Sequence, residues 1–548
     1  MKRIFTLLFI VAIAMTSINA QERYLEEVFD DVIVTSDVIY GVNATVLFLP
    51  IFGEAIPIPL TMDIYEPDGD TETNRPVVLV FHTGNFLPPP INRQIAGQKS
   101  DNSSVEICTQ LAKRGYVAAS VTYRTGWNPA AETQPIRALG LIQAAYRGIQ
   151  DGRTAIRHMR ATVDVGNPFG IDPNKVTAWG NGTGGYLTLG LASLNRYEKI
   201  TGTTNGPAKF ILDLDGDGIP ETPMVVPSFH GDINGEDLTI TPAAGFGLPA
   251  GDTTNYPNHV GFSSEINLCV NVGGALGDIS WLDSTSNTPI ISVQSPFDIF
   301  APYGDAVLIV PTTGDPIVQV QGASIYQPKL QQLEINTIFN DYIFTDETTQ
   351  EAMDNSATAG HPYYEGLYPW IAPANSIGLD EGVVLNWWDP NEISPPFPPD
   401  FPAGAAWNAL PHDSGGTYHD QGLLLNEGMS PEKSRANIAK VMNYIAPRAC
   451  VALDLPCKDL FTSTKDFNLD ASIMKLTPNP ATSSVKITTE GEIIEHIAIF
   501  AMDGSLIMKK PNVNSESITI QRYNLPTGIY FVKAFFDKGV ATQKVVFE

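Results

Sequence analysis

The residues whose spacing carries the most chemistry run Trp179-Gly180-Asn181-Gly182-Thr183-Gly184-Gly185. A β-branched run, Val176-Thr177-Ala178, precedes them, and a helix-like segment from Tyr186 to Ala192 follows. Glycines two residues before and two after a central position let the chain leave a strand, turn sharply and enter a helix. That turn lifts the central side chain clear of the sheet. A serine hydroxyl held there attacks acyl carbons, provided that a base takes its proton and an acid orients the base. Here Gly180 and Gly184 hold the flanks, and the central position, Gly182, has no side chain to attack with. The best acid is Asp298, at the end of the apolar run Ile291-Ser292-Val293 and before Ala301-Pro302-Tyr303. His361 follows Asp298 at a plausible distance and is the expected base. His412 and His419, on either side of the Gly-rich loop Asp413-Ser414-Gly415-Gly416-Thr417-Tyr418, are the alternatives. Among substitute hydroxyls Thr183 comes first, although a side chain one position after the nucleophile points away from the base. Ser295 and Ser414 require an unrelated geometry.

A second constellation is Asp213-Leu214-Asp215-Gly216-Asp217-Gly218-Ile219-Pro220-Glu221. Alternating carboxylates with a glycine at the bend are how short loops wrap Ca²⁺ in oxygen. Asp213, Asp215 and Asp217 would offer side chains, Ile219 its carbonyl, and Glu221 a water-bridged contact. The twelfth position is Met224, so the EF-hand's closing Glu is missing. No organic cofactor is expected. Of four cysteines, Cys450 and Cys457 are close enough to staple a small loop. Cys108 and Cys269 are candidates to pair across the fold, with other pairings left open.

The elements that must position these groups alternate strand and helix from about residue 25 to 460, the pattern of a mainly parallel sheet covered on both faces. Strands are expected at 76–81, 116–124, 268–272 and 289–293, and helices at 105–113, 137–160 and 431–444. Residues 371–425, rich in Pro, Gly and Trp, read as irregular loops. Past residue 472 the pattern changes to short alternating strands with turn signals, a small all-β sandwich.

Several segments match one family. Besides the elbow there are Val80-Phe81-His82-Thr83-Gly84-Asn85-Phe86, in the place of an H-G-G-G-F loop, the strand region Ala112 to Arg124, the helix Gln150 to Arg157, and the turn Gly170 to Val176. From about residue 60 to 300 the chain resembles the carboxylesterase-like branch of the α/β-hydrolases. The resemblance implies an α/β-hydrolase sandwich, an oxyanion site at the backbone around Thr83 and Gly84, and Asp298 as the triad acid. Thr83 and Asn85 stand where that family has glycines. In the tail, Leu476-Thr477-Pro478-Asn479-Pro480, Met502-Asp503-Gly504 and Leu525 to Lys533 occur in order. They resemble the type A C-terminal sorting domain of type IX secretion cargo from Bacteroidetes. That resemblance implies the type IX machinery as partner and delivery to the cell surface or the medium.

The N-terminal residues agree. Lys2 and Arg3, the apolar Ile4 to Met15, and Ile18-Asn19-Ala20 read as a signal peptide over 1–20. The expected organisation is therefore a signal peptide (1–20), a hydrolase-like domain (21–460), a linker (461–471) and a sorting domain (472–548). A net charge of −27 excludes nucleic acid and anionic membranes as natural partners, and no run is long enough to span a bilayer. The reading is an exported carboxylesterase-like protein with weak or absent ester hydrolysis. Its rival is a binding protein that holds a carbohydrate or ester ligand in the old pocket.

Overall fold

The computed structural model describes residues 23–92, 96–202, 209–214, 216–310, 313–376, 378, 380–385, 389, 391, 406–412, 415–461, 471–489, 491–502, 506–510, 513–523, 525–536 and 539–548. The signal peptide, most of the linker, Asp215, Ser414, and Asp503-Gly504 of the tail motif lie outside the described residues.

Eight strands form the main sheet: β1 (Val32–Thr45), β2 (Ile56–Pro67), β3 (Arg75–Phe81), β4 (Val117–Val121), β5 (Ile171–Asn181), β6 (Leu268–Val272), β7 (Ile290–Gln294) and β8 (Leu367–Pro369), in the order β1-β2-β4-β3-β5-β6-β7-β8. The pairings β1–β2 and β2–β4 are antiparallel and the other five are parallel. The central strands read as unbroken apolar runs because both faces are covered: every residue of β3 is buried. Four helices supply the main cover, α1 (Asn102–Lys113), α2 (Gln134–Asp164), α3 (Thr183–Ser193) and α4 (Pro431–Ala452). Leu139, Leu141, Leu187 and Leu189 of α2 and α3 pack on one face. Ile107 and Leu111 of α1, with Ile438 and Val441 of α4, pack on the other.

Period-two alternation decides the fate of two cysteines. Along β6, Leu268 and Val270 belong to the face covered by α1 and α4, while Cys269 points to the opposite one. Cys108 sits on α1, so the sheet itself separates the two sulfurs, and both are free and buried. The expectation that they bridge is therefore corrected. Burial pushes the Cys269 thiol up to about 12 and the Cys108 thiol well above its ordinary value, which makes both inert packing residues. Cys450 and Cys457 do form a disulfide, at the end of α4.

The tail has its own core. A three-stranded sheet of β9 (Met474–Thr477), β10 (Ser484–Thr489) and β13 (Ser517–Gln521) faces a four-stranded one of β11 (His496–Ala501), β12 (Leu506–Lys510), β14 (Gly528–Phe536) and β15 (Gly539–Phe547). Val485, Ile487, Ile499, Val532 and Val545 interdigitate between them. The outer side of the larger sheet is packed as well: Ala498, Leu506, Phe535 and Val540 share a cluster with Phe344 and Tyr363 of the first domain. Leu506 pairs with Tyr363 as an isolated bridge, and Lys509 Nζ donates to the Phe344 carbonyl at 3.1 Å.

Candidate active site

Strand β5 ends at Asn181 and α3 begins at Thr183, leaving Gly182 as the one residue of the turn, with φ +50° and ψ −111°. This is a conformation that side chains other than hydrogen adopt only under strain. Its N–H donates to the Val272 carbonyl at 2.7 Å, and its own carbonyl accepts from Gly185 N–H at 2.9 Å. The flanking glycines are required by close crossing rather than by φ. A Cβ on Gly180 would strike the Gly184 carbonyl, and one on Gly184 the Phe81 carbonyl.

The space next to Gly182 is filled. A Cβ built there would overlap the Thr83 hydroxyl and lie 3.1 Å from Thr83 Cβ. Thr83 thus stands where the missing side chain would be. The same hydroxyl accepts from the Thr183 N–H at 3.4 Å. The Asn85 N–H donates to Thr183 Oγ1 at 2.8 Å. The Asn85 N–H of the loop and the Thr183 N–H of the elbow therefore point at two threonine hydroxyls. The loop is strained as well: Gly84 has φ +123°, and Asn85 and Phe86 both sit near +55°. It is held by Trp127 Nε1 donating to the Asn85 carbonyl and Gly126 N–H to that of Phe86, each at 2.8 Å. Such strain persists where the surroundings over-determine it, and it concentrates at sites. His82 stacks on Tyr123 and is held near pKa 4 by burial, hence neutral.

Asp298 lies just past β7 and is half-buried at the cavity wall. Its Oδ1 accepts from the N–H groups of Phe300 at 2.7 Å and Ala301 at 3.0 Å. Loss of water outweighs those two bonds and raises its pKa from 3.8 to about 7. The folded carboxyl thus binds its proton more tightly than the unfolded one. Between about pH 4 and 7 the native state holds the extra proton, and stability falls as pH rises through that window. Asp298→Asn should flatten this slope and be relatively more stable at pH 8, by up to about 4 kcal/mol. Urea unfolding of both proteins from pH 4 to 8 measures it, and parallel pH profiles would contradict it.

His361 is elsewhere. It precedes β8, its Nδ1 donates to the Pro362 carbonyl at 2.7 Å, and its Nε2 accepts from Tyr303 O–H at 2.6 Å, so both nitrogens are engaged. His412 follows β8 and lines one cavity with Thr83, Asn181, Gly182, Thr183 and Asp298. The structure gathers those residues and leaves out His361, His419 and Ser295. Asn181 is among the gathered residues, and its place before Gly182 is the one sequence signal that points to it. In the acidic loop, Asp213 accepts from the N–H groups of Gly216 and Gly218, each at 2.7 Å, and Asp217 from that of Ile219 at 2.8 Å. Among the described residues no three His, Cys, Asp or Glu are grouped to hold a metal.

Residues 62–210 match the BD-FAE family, and residues 475–548 match the secretion system C-terminal sorting domain. The protein joins an esterase-like α/β-hydrolase domain to a type IX sorting domain. The sorting domain marks it for export to the cell surface or the medium, and among the described residues no helix is long and apolar enough to cross a membrane. Comparison with curated proteins returns no match. Among solved structures, Thermogutta terrifontis esterase 2 phosphorylated by paraoxon is 15% identical, over 49% of this chain and 73% of that one, with a TM-score of 0.27. A truncated carbohydrate esterase from gut microbiota is 15% identical over 51% and 81%, with a TM-score of 0.29. The hydrolase assignment rests on the strand order and the BD-FAE match.

Proposed function

We propose that the hydrolase domain holds a small ligand in its former ester-cleaving site and forms no acyl-enzyme. The observation that carries this reading is the Thr83 hydroxyl in the space beside Gly182, which leaves neither a nucleophile nor room for one. Asp298 and His412 remain at the same cavity, which supports retained binding. Incubation with a fluorophosphonate, followed by mass spectrometry, should find no adduct, and aryl-ester turnover should stay close to background. A stoichiometric adduct, on Thr183 or any other hydroxyl, would overturn the proposal.

We also propose that the loop from Asp213 to Glu221 binds Ca²⁺. The two glycine N–H groups on the Asp213 carboxylate already curl the backbone around it, which supports the reading. A cation that binds only the native state at 100 times its Kd stabilises by about 2.7 kcal/mol. Chelation should therefore lower the melting temperature, Ca²⁺ should restore it, and Asp215→Ala should abolish the response. Superimposable melting curves with and without chelator would refute it.

Deletion of residues 472–548 should strand the chain in the periplasm. Cell fractionation would detect this, and undiminished surface display would contradict it.

A further inference from the structure

The cavity at the elbow measures about 520 Å³ and extends well past its polar groups. Much of the remaining lining is buried and apolar, exemplified by Leu141 and Ile149 of α2, Phe210, Trp281, and Val318 and Val320 of the hairpin strand Pro316–Gln321. The polar atoms on the aromatic rings there are turned to the protein. Trp281 Nε1 donates to the Lys199 carbonyl and Tyr146 O–H to the Gly231 carbonyl, both at 2.9 Å. A sugar or a phenolic acyl group lodged against this lining would bury hydroxyls without partners, which is costly. A plain hydrocarbon chain loses nothing there.

The polar end is lined by Asn181 with Thr83 and Thr183 of the elbow. Asn181 is 5% exposed, and its Oδ1 accepts from Trp179 Nε1 at 2.9 Å. Its Nδ2 is buried without a partner. The bond to Trp179 fixes the amide at the edge of the cavity. An anionic head would meet the Asp298 carboxyl and a chain of net charge −27. An uncharged oxygen meets neither penalty.

We propose that this site binds a long unbranched aliphatic chain with an uncharged oxygen at one end, a fatty acyl ester or fatty alcohol. The chain lies along the apolar lining and the oxygen lies at the polar end, beside Thr83, Asn181 and Thr183. This rests on the reading of the site as non-cleaving. A cavity of about 520 Å³ falls within the ~300–1,000 Å³ of small-molecule sites.

The test titrates the full-length protein at pH 8 with methyl esters of the C6 to C16 acids, 1-hexadecanol, hexadecanoate and an acetylated xylo-oligosaccharide. Affinity for the esters should rise about fourfold per added methylene until the cavity is full, and 1-hexadecanol should follow the long esters. Hexadecanoate should bind at least tenfold more weakly than its methyl ester, and the oligosaccharide should not bind. Ala145→Trp, which fills the apolar part, should weaken only the longest. Circular dichroism checks that each variant folds, and Val318→Phe is the second filling variant. Binding that is undetectable, independent of chain length, or tighter for the oligosaccharide overturns the inference and leaves the labelling result untouched. Esters recovered intact support it. Release of methanol, with the chain-length trend preserved, would overturn the non-cleaving reading instead.

Discussion

Gly182→Ser alone is expected to leave the protein inert toward aryl esters, while Gly182→Ser with Thr83→Gly gains turnover and a fluorophosphonate adduct. The single change meets two obstacles. The new Cβ overlaps the Thr83 hydroxyl and presses on Thr83 Cβ 3.1 Å away. It must also adopt φ +50°, at roughly 1–3 kcal/mol of strain. Even a serine that squeezed in would find the Thr183 N–H already directed at Thr83. Replacing Thr83 by glycine clears the space and returns that N–H to solvent, where it can bind an oxyanion. Removing a nucleophile from a working serine hydrolase costs on the order of 10⁶-fold. Restoring one beside an untuned base should recover a part, on the order of 10²- to 10³-fold over the parent. Steady-state turnover of a short aryl ester by the four proteins of the cycle measures this. Equal activity of the single and double variants would show that Thr83 is no obstacle.

The second large effect concerns stability. Asp151→Ala should destabilise the hydrolase domain by about 3–5 kcal/mol. Asp151, on α2, and Arg124, just past β4, are both fully buried. One carboxylate takes the Arg124 Nε at 2.9 Å and its backbone N–H at 2.7 Å. Arg124 also donates to the carbonyls of Ala44 and Thr254 and to Gln150 Oε1. Every donor has a partner, so the pair joins α2 to strand β1 and to the short strand Thr253–Asn255 without an orphaned group. Without the carboxylate a guanidinium is left charged in a dry interior. Arg124→Met/Asp151→Leu, which removes both charges, should cost less than Asp151→Ala, and urea unfolding of the three proteins tests the order. If the double variant were the least stable, the argument from uncompensated charge would be wrong.

Much of this site is legible in the chain because close approach leaves only glycine: Gly180 and Gly184 are forced by carbonyls that any Cβ would strike. The position of Asp298 follows from a strand that reads as a short apolar run. The base is not legible in the same way. Strand β8 is three residues long, too short for periodicity to register, so nothing in sequence tells that His361 precedes it and His412 follows. Helix α4 runs to Ala452, past the expected end at Tyr444 and through Pro447, because tertiary packing of Ile445, Ala449 and Val451 overrides a local stop. The placement of Thr83 beside Gly182 joins residues 99 positions apart in sequence, and no local pattern announces it.

The two domains are pressed together along an apolar seam. Leu506 and Phe535 of the sorting domain lie in one apolar cluster with Phe344 and Tyr363 of the hydrolase domain. Beneath them Arg448 and Glu365 form a buried ion pair whose charges reach Lys509, and burial lowers that lysine's pKa to about 8. The address label is thus pressed into the cargo as part of its wall. Removal of the tail at the cell surface would do more than shorten the chain: it would bare an apolar face with a charged pair just behind it. The delivered molecule would then carry a fresh adhesive patch created by delivery itself, and its first neighbour on the outside would be whatever covers that patch.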